Sequence, residues 1–187
     1  MKEETVMKVL GISGSLRRES YNTRLLRASE SLAPITMNIE AYEDLAGIPP
    51  YNSDDDGEHA PALVQSFRAQ VRDADALLIA TPEYNYSIPG VLKNAIDWLS
   101  TGDGGQLLAG KPIAVMGAAP TAFGSVRAQL ALRQVFVWTD SKLVVKPEVM
   151  VFNAHERFVE DKLVDEGTQD LVRRLLHALA AKVEEAR

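Results

Sequence analysis

Apolar runs of strand length alternate with amphipathic stretches of helical period along the chain, which predicts an α/β fold with a parallel sheet covered by helices on both faces. The first strand spans residues 6–12, and a helix follows over about 20–32 with Leu25, Leu26, Ser29 and Leu32 on one face. That helix stops before Pro34, because a proline disfavours helical geometry in the residue ahead of it. Residues 36–41 form the second strand, and a helix with Leu63, Phe67, Gln70 and Val71 on its inner face leads to the third, Ala76-Leu-Leu-Ile-Ala80. The third run is apolar without alternation, as expected of a central strand buried on both faces. Pro89 suits the first position of the next helix, which carries Leu92, Ile96 and Leu99. A fourth strand over 112–116 and a fifth over 143–150, interrupted by Pro147, flank a helix from about Ser125. A last helix from about Thr168 aligns Val172, Leu175, Leu176, Leu179 and Val183.

Two stretches stand outside this pattern. Residues 44–59, with Gly47, Pro49-Pro50 and Asp54-Asp-Asp-Gly57, read as a long polar loop of unassigned role. The helix after the fourth strand carries Leu130, Leu132, Val135, Phe136, Val137 and Trp138, more apolar surface than one buried face requires. Two readings stand: a helix deep in the core, or one covered by a second copy of the chain.

The 187 residues fit one domain over 1–187, with no internal repeat, and 46% apolar with 25% charged residues is ordinary for a globular protein. No apolar run is long enough to span a bilayer, so no membrane insertion is expected. The opening Met-Lys-Glu-Glu-Thr lacks the features of a secretory leader, which makes the cytoplasm the expected compartment. With no cysteine, disulfides, Cys-ligated zinc, iron–sulfur clusters and thiol redox chemistry are excluded, and any redox role needs a borrowed cofactor. A net charge of −6 with scattered basic residues opposes nucleic-acid binding.

Two loops carry the candidate chemistry, both at carboxyl ends of strands, where ligands bind in open parallel sheets. Gly11-Ile-Ser-Gly-Ser-Leu-Arg-Arg-Glu-Ser-Tyr-Asn-Thr23 offers the Ser13, Ser15, Ser20 and Thr23 hydroxyls, Gly14 for close backbone approach, and the positive end of the next helix. Those features suit a phosphate, with Arg17 or Arg18 adding a charge-assisted contact. A nucleotide-hydrolase P-loop is excluded, since no lysine lies between Lys8 and Lys93. Ser13 takes the second glycine position of a dinucleotide fingerprint and Ser15 the last of a Gly-x-Ser-x-Gly elbow. Glu40, at the end of the second strand, keeps a nicotinamide Rossmann domain without flavin open as an alternative. The second loop, Thr81-Pro-Glu-Tyr-Asn-Tyr-Ser-Ile-Pro-Gly90, has backbone groups for the polar edge of a flat ring and two tyrosines to cover its apolar surface.

Here the chain resembles the NAD(P)H-dependent FMN reductases of the flavodoxin-like fold, relatives of quinone, chromate and azo reductases. The resemblance rests on Gly14-Ser-Leu-Arg17 with Ser20 and Asn22, on Pro82-Glu-Tyr-Asn-Tyr-Ser87 with Pro89-Gly90, on Leu92-Lys-Asn-Ala-Ile-Asp-Trp-Leu-Ser100, on Leu108-Ala-Gly-Lys-Pro112 and on Leu132-Arg-Gln134. It implies a three-layer sandwich on a five-stranded parallel sheet of order 2-1-3-4-5, noncovalently bound FMN, NADPH or NADH as electron donor, and a homodimer or homotetramer. It places Ser15, Leu16, Arg17, Ser20, Tyr21, Asn22 and Thr23 about the phosphate and ribityl chain, and Pro82, Glu83, Tyr84, Asn85 and Tyr86 about the isoalloxazine. After the fourth strand the chain has Gly117-Ala-Ala-Pro120 where many such reductases carry hydroxyls, so Ala118 and Ala119 would border the ring without side-chain hydrogen bonds.

Other constellations carry less. His59, His155 and His177 match no metal spacing, and the acidic run from Asn52 has Leu63 where a calcium loop needs glutamate. Asn85-Tyr-Ser87 has the form of a glycosylation acceptor, without a leader to give it meaning. The expected function is hydride transfer from NAD(P)H to flavin N5, then reduction of a free flavin, quinone or similar small acceptor by a ping-pong mechanism, with no protein nucleophile required. The alternative is a flavodoxin-like carrier that binds FMN without NAD(P)H turnover.

Overall fold

The computed structural model describes residues 6–101 and 106–186; the opening Met-Lys-Glu-Glu-Thr lies outside them. Strands β1 (Met7–Ser13), β2 (Met37–Ala41), β3 (Ala76–Ala80), β4 (Pro112–Ala118) and β5 (Lys142–Leu143) form a parallel sheet in the order β2-β1-β3-β4-β5, as expected. The fifth strand is split. β5 and β6 (Val149–Val151) pair separately with β4, because Pro147 between them has no N–H to donate to the ladder.

Side-chain alternation along the central strands divides the core. Leu78, Ala80 and Met116 face helices α1 (Tyr21–Leu32) and α5 (Glu166–Ala186), where Leu25, Leu26, Leu175 and Leu176 are fully buried. Leu77, Ile79, Ile113 and Val115 face α2 (Ala62–Asp73), α3 (Gly90–Leu99) and α4 (Val126–Trp138), meeting Phe67, Trp98 and Phe136. Each such aromatic or aliphatic side chain contributes about 1.5–3 kcal/mol by leaving water. The last helix starts at Glu166 rather than Thr168, because the Asp165 carboxylate accepts the Thr168 N–H at 2.8 Å and closes the first turn. Those Thr168 bonds, with Arg157 adding charge, hold the Asp165 carboxyl below its usual range.

A short antiparallel hairpin, β7 (Phe158–Val159) with β8 (Lys162–Leu163), was not expected; its strands are too short to show a period. It packs on α1 through Tyr21 against Phe158, ring centroids 5.8 Å apart, and an Arg24–Asp161 ion pair at 2.8 Å. The polar stretch 44–59 forms three turns of 3-10 helix. Side chains of α2 and α3 fix it. Asn94 accepts the Tyr51 N–H and donates to the Pro49 carbonyl, which also takes the Trp98 indole N–H at 2.8 Å. Arg68, buried, donates to Asp56 at 2.7 Å and to the carbonyls of Trp98 and Thr101.

Helix α4 divides between the two expectations. Ala128, Leu132 and Phe136 enter the core, while Leu130, Val137 and Trp138 remain exposed, Trp138 at 88%. Among the described residues, no helix is long and apolar enough to cross a membrane and no cluster of potential metal ligands gathers.

Candidate active site

The order β2-β1-β3 sends the chain to opposite faces from β1 and β3, opening a crevice at their carboxyl ends. Ser13 pairs with Ala80, so the two informative loops leave the sheet side by side. The Gly14 N–H donates to the Ala80 carbonyl at 2.8 Å. A Cβ on Gly14 would meet Leu92, Pro82 and Thr81 at 3.0–3.4 Å, close enough that these neighbours would have to give by a few tenths of an ångström. Gly117 serves the same purpose on β4, since its added Cβ would collide with Ser125 and the Thr81 carbonyl.

The first loop becomes a donor-rich cradle. Ser20 caps α1, its hydroxyl accepting the N–H groups of Asn22 and Thr23 at 3.2 and 3.3 Å. Asn22, buried, exchanges two hydrogen bonds with the Ala118 backbone at 2.9 and 3.0 Å, tying the helix start to the end of β4. Its side-chain amide is thereby occupied in joining loops. Among the described residues, the backbone N–H groups of Ser15, Leu16 and Arg18 find no acceptor in the chain. Arg17 donates to the Glu19 carbonyl from Nε and Nη2, and among the described residues its Nη1 finds no acceptor.

In the second loop, Tyr84 and Ser87 exchange backbone hydrogen bonds at 3.1 and 3.0 Å around Asn85 and Tyr86, which have φ of 48° and 71°. Positive φ at both central positions defines the tight primed turn usually built from Asn and Gly. A tyrosine there costs about 1–3 kcal/mol and persists only where its surroundings hold it. Arg127 holds it: the guanidinium lies 3.7 Å from the Tyr86 ring centroid and 4.5 Å from that of Phe123. Glu83 fixes Arg127 in turn, accepting its backbone N–H at 2.9 Å and pairing with its guanidinium. Burial pulls the Arg127 pKa down, but the Tyr86 hydroxyl and the Glu83 carboxylate outweigh it and raise it further. Glu83 thus orients the loop and caps α4. From the inside, the buried Gln129 amide donates to Ser125 and to the Gly124 and Val149 carbonyls, locking the left-handed turn that starts the helix.

A cavity of about 120 Å³ lies where these loops meet. Ser15, Arg17, Ser20, Tyr21, Asn22, Pro82, Glu83, Tyr84, Ala118 and Ala119 line it together with Pro120. Leu16 and Thr23 instead line a neighbouring hollow, and Asn85 and Tyr86 lie outside both, Tyr86 exposed at 73%. The Ser15 and Tyr84 hydroxyls are 3.3 Å apart, closing the two loops over the cavity. Its volume falls short of the roughly 300 Å³ typical for a whole drug-sized ligand. It suits a phosphate and sugar chain, with a flat ring left to the exposed tyrosines at the rim. Unpartnered N–H groups, an arginine and two tyrosines therefore fit a flavin monophosphate. Glu40 does not join them, and lies in a separate hollow with Lys8, Gln70 and Asp73. Arg127 gave no sequence signal, because its partner Glu83 is 44 residues away.

Comparison with known proteins gives the family of the chain. The family model described as NADPH-dependent FMN reductase matches residues 7–156. An NAD(P)H-dependent FMN reductase of Pseudomonas aeruginosa is 48% identical over 182 residues, covering 97% of both chains. A quinone reductase of Escherichia coli is 40% identical over 167 residues, 88% of each chain. The flavoenzyme FerB, an NAD(P)H:(acceptor) oxidoreductase from Paracoccus denitrificans, superposes with a TM-score of 0.87 at 30% identity over 97% of this chain and 99% of its own, which gives this sheet its flavodoxin-like assignment. The chain belongs to the NADPH-dependent FMN reductase family.

Proposed function

We propose that the chain is an FMN-containing oxidoreductase that takes electrons from NADPH or NADH and passes them to a small acceptor such as a free flavin or a quinone. The observation that carries this is the meeting of the donor-rich first loop with the strained tyrosine turn of the second over one cavity. The phosphate would be held by the free N–H groups of Ser15, Leu16 and Arg18 and by Arg17, the ring by Pro82, Glu83, Tyr84, Asn85 and Tyr86. The chemistry that bound FMN supplies is acceptance of a hydride at N5 and its release to the acceptor.

The protein's own residues shape the site and hold it in place. Gly14 and Gly117 let the loops approach, Asn22 joins α1 to β4, and the Glu83–Arg127–Tyr86 stack holds one rim rigid. No side chain is needed as nucleophile. Donor and acceptor would use the same opening in turn, so steady-state rates with NADPH and a quinone varied together should give parallel double-reciprocal lines. Intersecting lines would contradict a shared opening. Kinship with reductases supports turnover over simple electron carriage.

A second copy of the chain would cover the exposed Leu130, Val137 and Trp138 of α4. A groove of about 370 Å³ beside Trp138, lined by Lys93, Ile96, Gln134 and Val135, gives that face both a projection and a recess, as a two-fold interface requires.

A further inference from the structure

Beside the cavity two aromatic rings stand exposed, Tyr86 at 73% and Phe123 at 57%, yet neither is loose. The Arg127 guanidinium lies over both, nearer to Tyr86, and is itself fixed by Glu83, which lines the cavity. Tyr86 therefore has a guanidinium on one face of its ring and keeps the other face open, on the turn that borders the site. Its neighbour Tyr84 behaves differently, its hydroxyl reaching back to Ser15. The chain accepts a left-handed backbone, φ 71°, to place the Tyr86 side chain, although asparagine or glycine would make the same turn at lower cost. Folding gains little from a ring that stays mostly in water. Backbone strain held in this way, beside a ligand site, points to work done by the side chain itself.

We propose that the Tyr86 side chain is a specificity residue for the electron acceptor, stacking its open face on a planar aromatic molecule such as a quinone or a free flavin ring. The turn's backbone and Tyr84 stay with the bound flavin, and the Tyr86 ring extends the rim outward from them. A tyrosine has only two side-chain torsions, and one already clamped by an arginine loses little freedom when a ligand stacks on it. Its flat apolar face offers contact that a planar acceptor can use and a compact octahedral anion cannot. Because the ring lies outside the cavity, it can select among acceptors by shape without touching the groups that would hold the phosphate. The overall reaction is unchanged: NADPH and one proton from solvent supply the two electrons and two protons that convert a quinone to its hydroquinone. This assignment rests on the reading of the cavity as the flavin site.

The test uses the FMN-loaded protein with its Tyr86→Gly and Tyr86→Phe variants, at saturating NADPH and without oxygen. It compares kcat/KM for 1,4-naphthoquinone, which is flat, with kcat/KM for ferricyanide, which is octahedral. Glycine adopts φ 71° without strain, so Tyr86→Gly removes the ring while the turn keeps its shape. The ratio of quinone to ferricyanide kcat/KM should fall about two- to tenfold in Tyr86→Gly, the range of one aromatic pair, with the loss carried by the quinone KM. Tyr86→Phe should restore the ratio, since stacking needs the ring and not the hydroxyl. A proportionate fall with both acceptors would make Tyr86 a brace of the turn and overturn the assignment. An unchanged ratio in Tyr86→Gly, or one that phenylalanine fails to restore, would overturn it as well. A flavin band that NADPH does not bleach in the native protein would instead contradict the flavin reading, and this assignment would fall with it.

Discussion

Arg17 lines the cavity while Arg127 lies behind the tyrosine turn, and their surroundings fit them for different work. Arg127 is consumed within the chain by Glu83, Tyr86 and Phe123, which makes it a brace for the turn. Arg17 spends two donors on the Glu19 carbonyl and keeps the rest available beside unpartnered backbone N–H groups. Arg17→Ala should therefore weaken FMN binding by about ten- to a hundredfold, the range for a hydrogen bond to a charged group. Fluorescence titration of the apoprotein checks this, and unchanged affinity would contradict the phosphate role. Arg17 was legible in the sequence because it sits within the motif it serves. Arg127 was not, because its position depends on left-handed Gly124 and Ser125 and on a carboxylate from another loop. The occupation of the Asn22 amide by Ala118 was equally hidden, since motif spacing does not reveal which partner a polar side chain finds.

Among the elements, the long runs were readable and the short ones were not. Ala76–Ala80 announced a central strand because all five residues are apolar, and all five are buried. The β7–β8 hairpin has two residues per strand, too few to show a period, whereas the interruption at Pro147 was legible and pairing with β4 resumes beyond it. The polar stretch 44–59 has the composition of a loop, yet its anchor, the Asp56–Arg68 pair, is among the more buried ion pairs, with side chains 9% and 5% exposed. Asp56→Asn would leave the Arg68 guanidinium without its counter-charge and should cost about 3 kcal/mol in urea unfolding. Burial raises the Asp56 pKa, but hydrogen bonds from Arg68, Gly57 and Thr101 outweigh it and leave the carboxyl below its ordinary range. A depressed folded-state pKa gives stability that is full above the unfolded value near ~3.9 and lost as pH falls through the folded one. The gap between native protein and Asp56→Asn should accordingly be widest at neutral pH and narrow in acid. A gap independent of pH would contradict the ionic role.

For the whole molecule, the helices leave one face of α4 uncovered, and the proposed assembly follows from it. The native protein should sediment at twice the chain mass of 20.5 kDa or more, and Trp138→Glu should shift it to the monomer by placing a charge at the centre of that face. A native monomer would contradict this. The central claim concerns what the two loops hold and what the assembly does with it. Anaerobic addition of NADPH to the purified protein tests it most directly, with the visible spectrum recorded before and after. The account predicts a yellow protein whose flavin band bleaches on addition and returns when a quinone is supplied; a colourless protein, or a flavin band that NADPH leaves untouched, would contradict it.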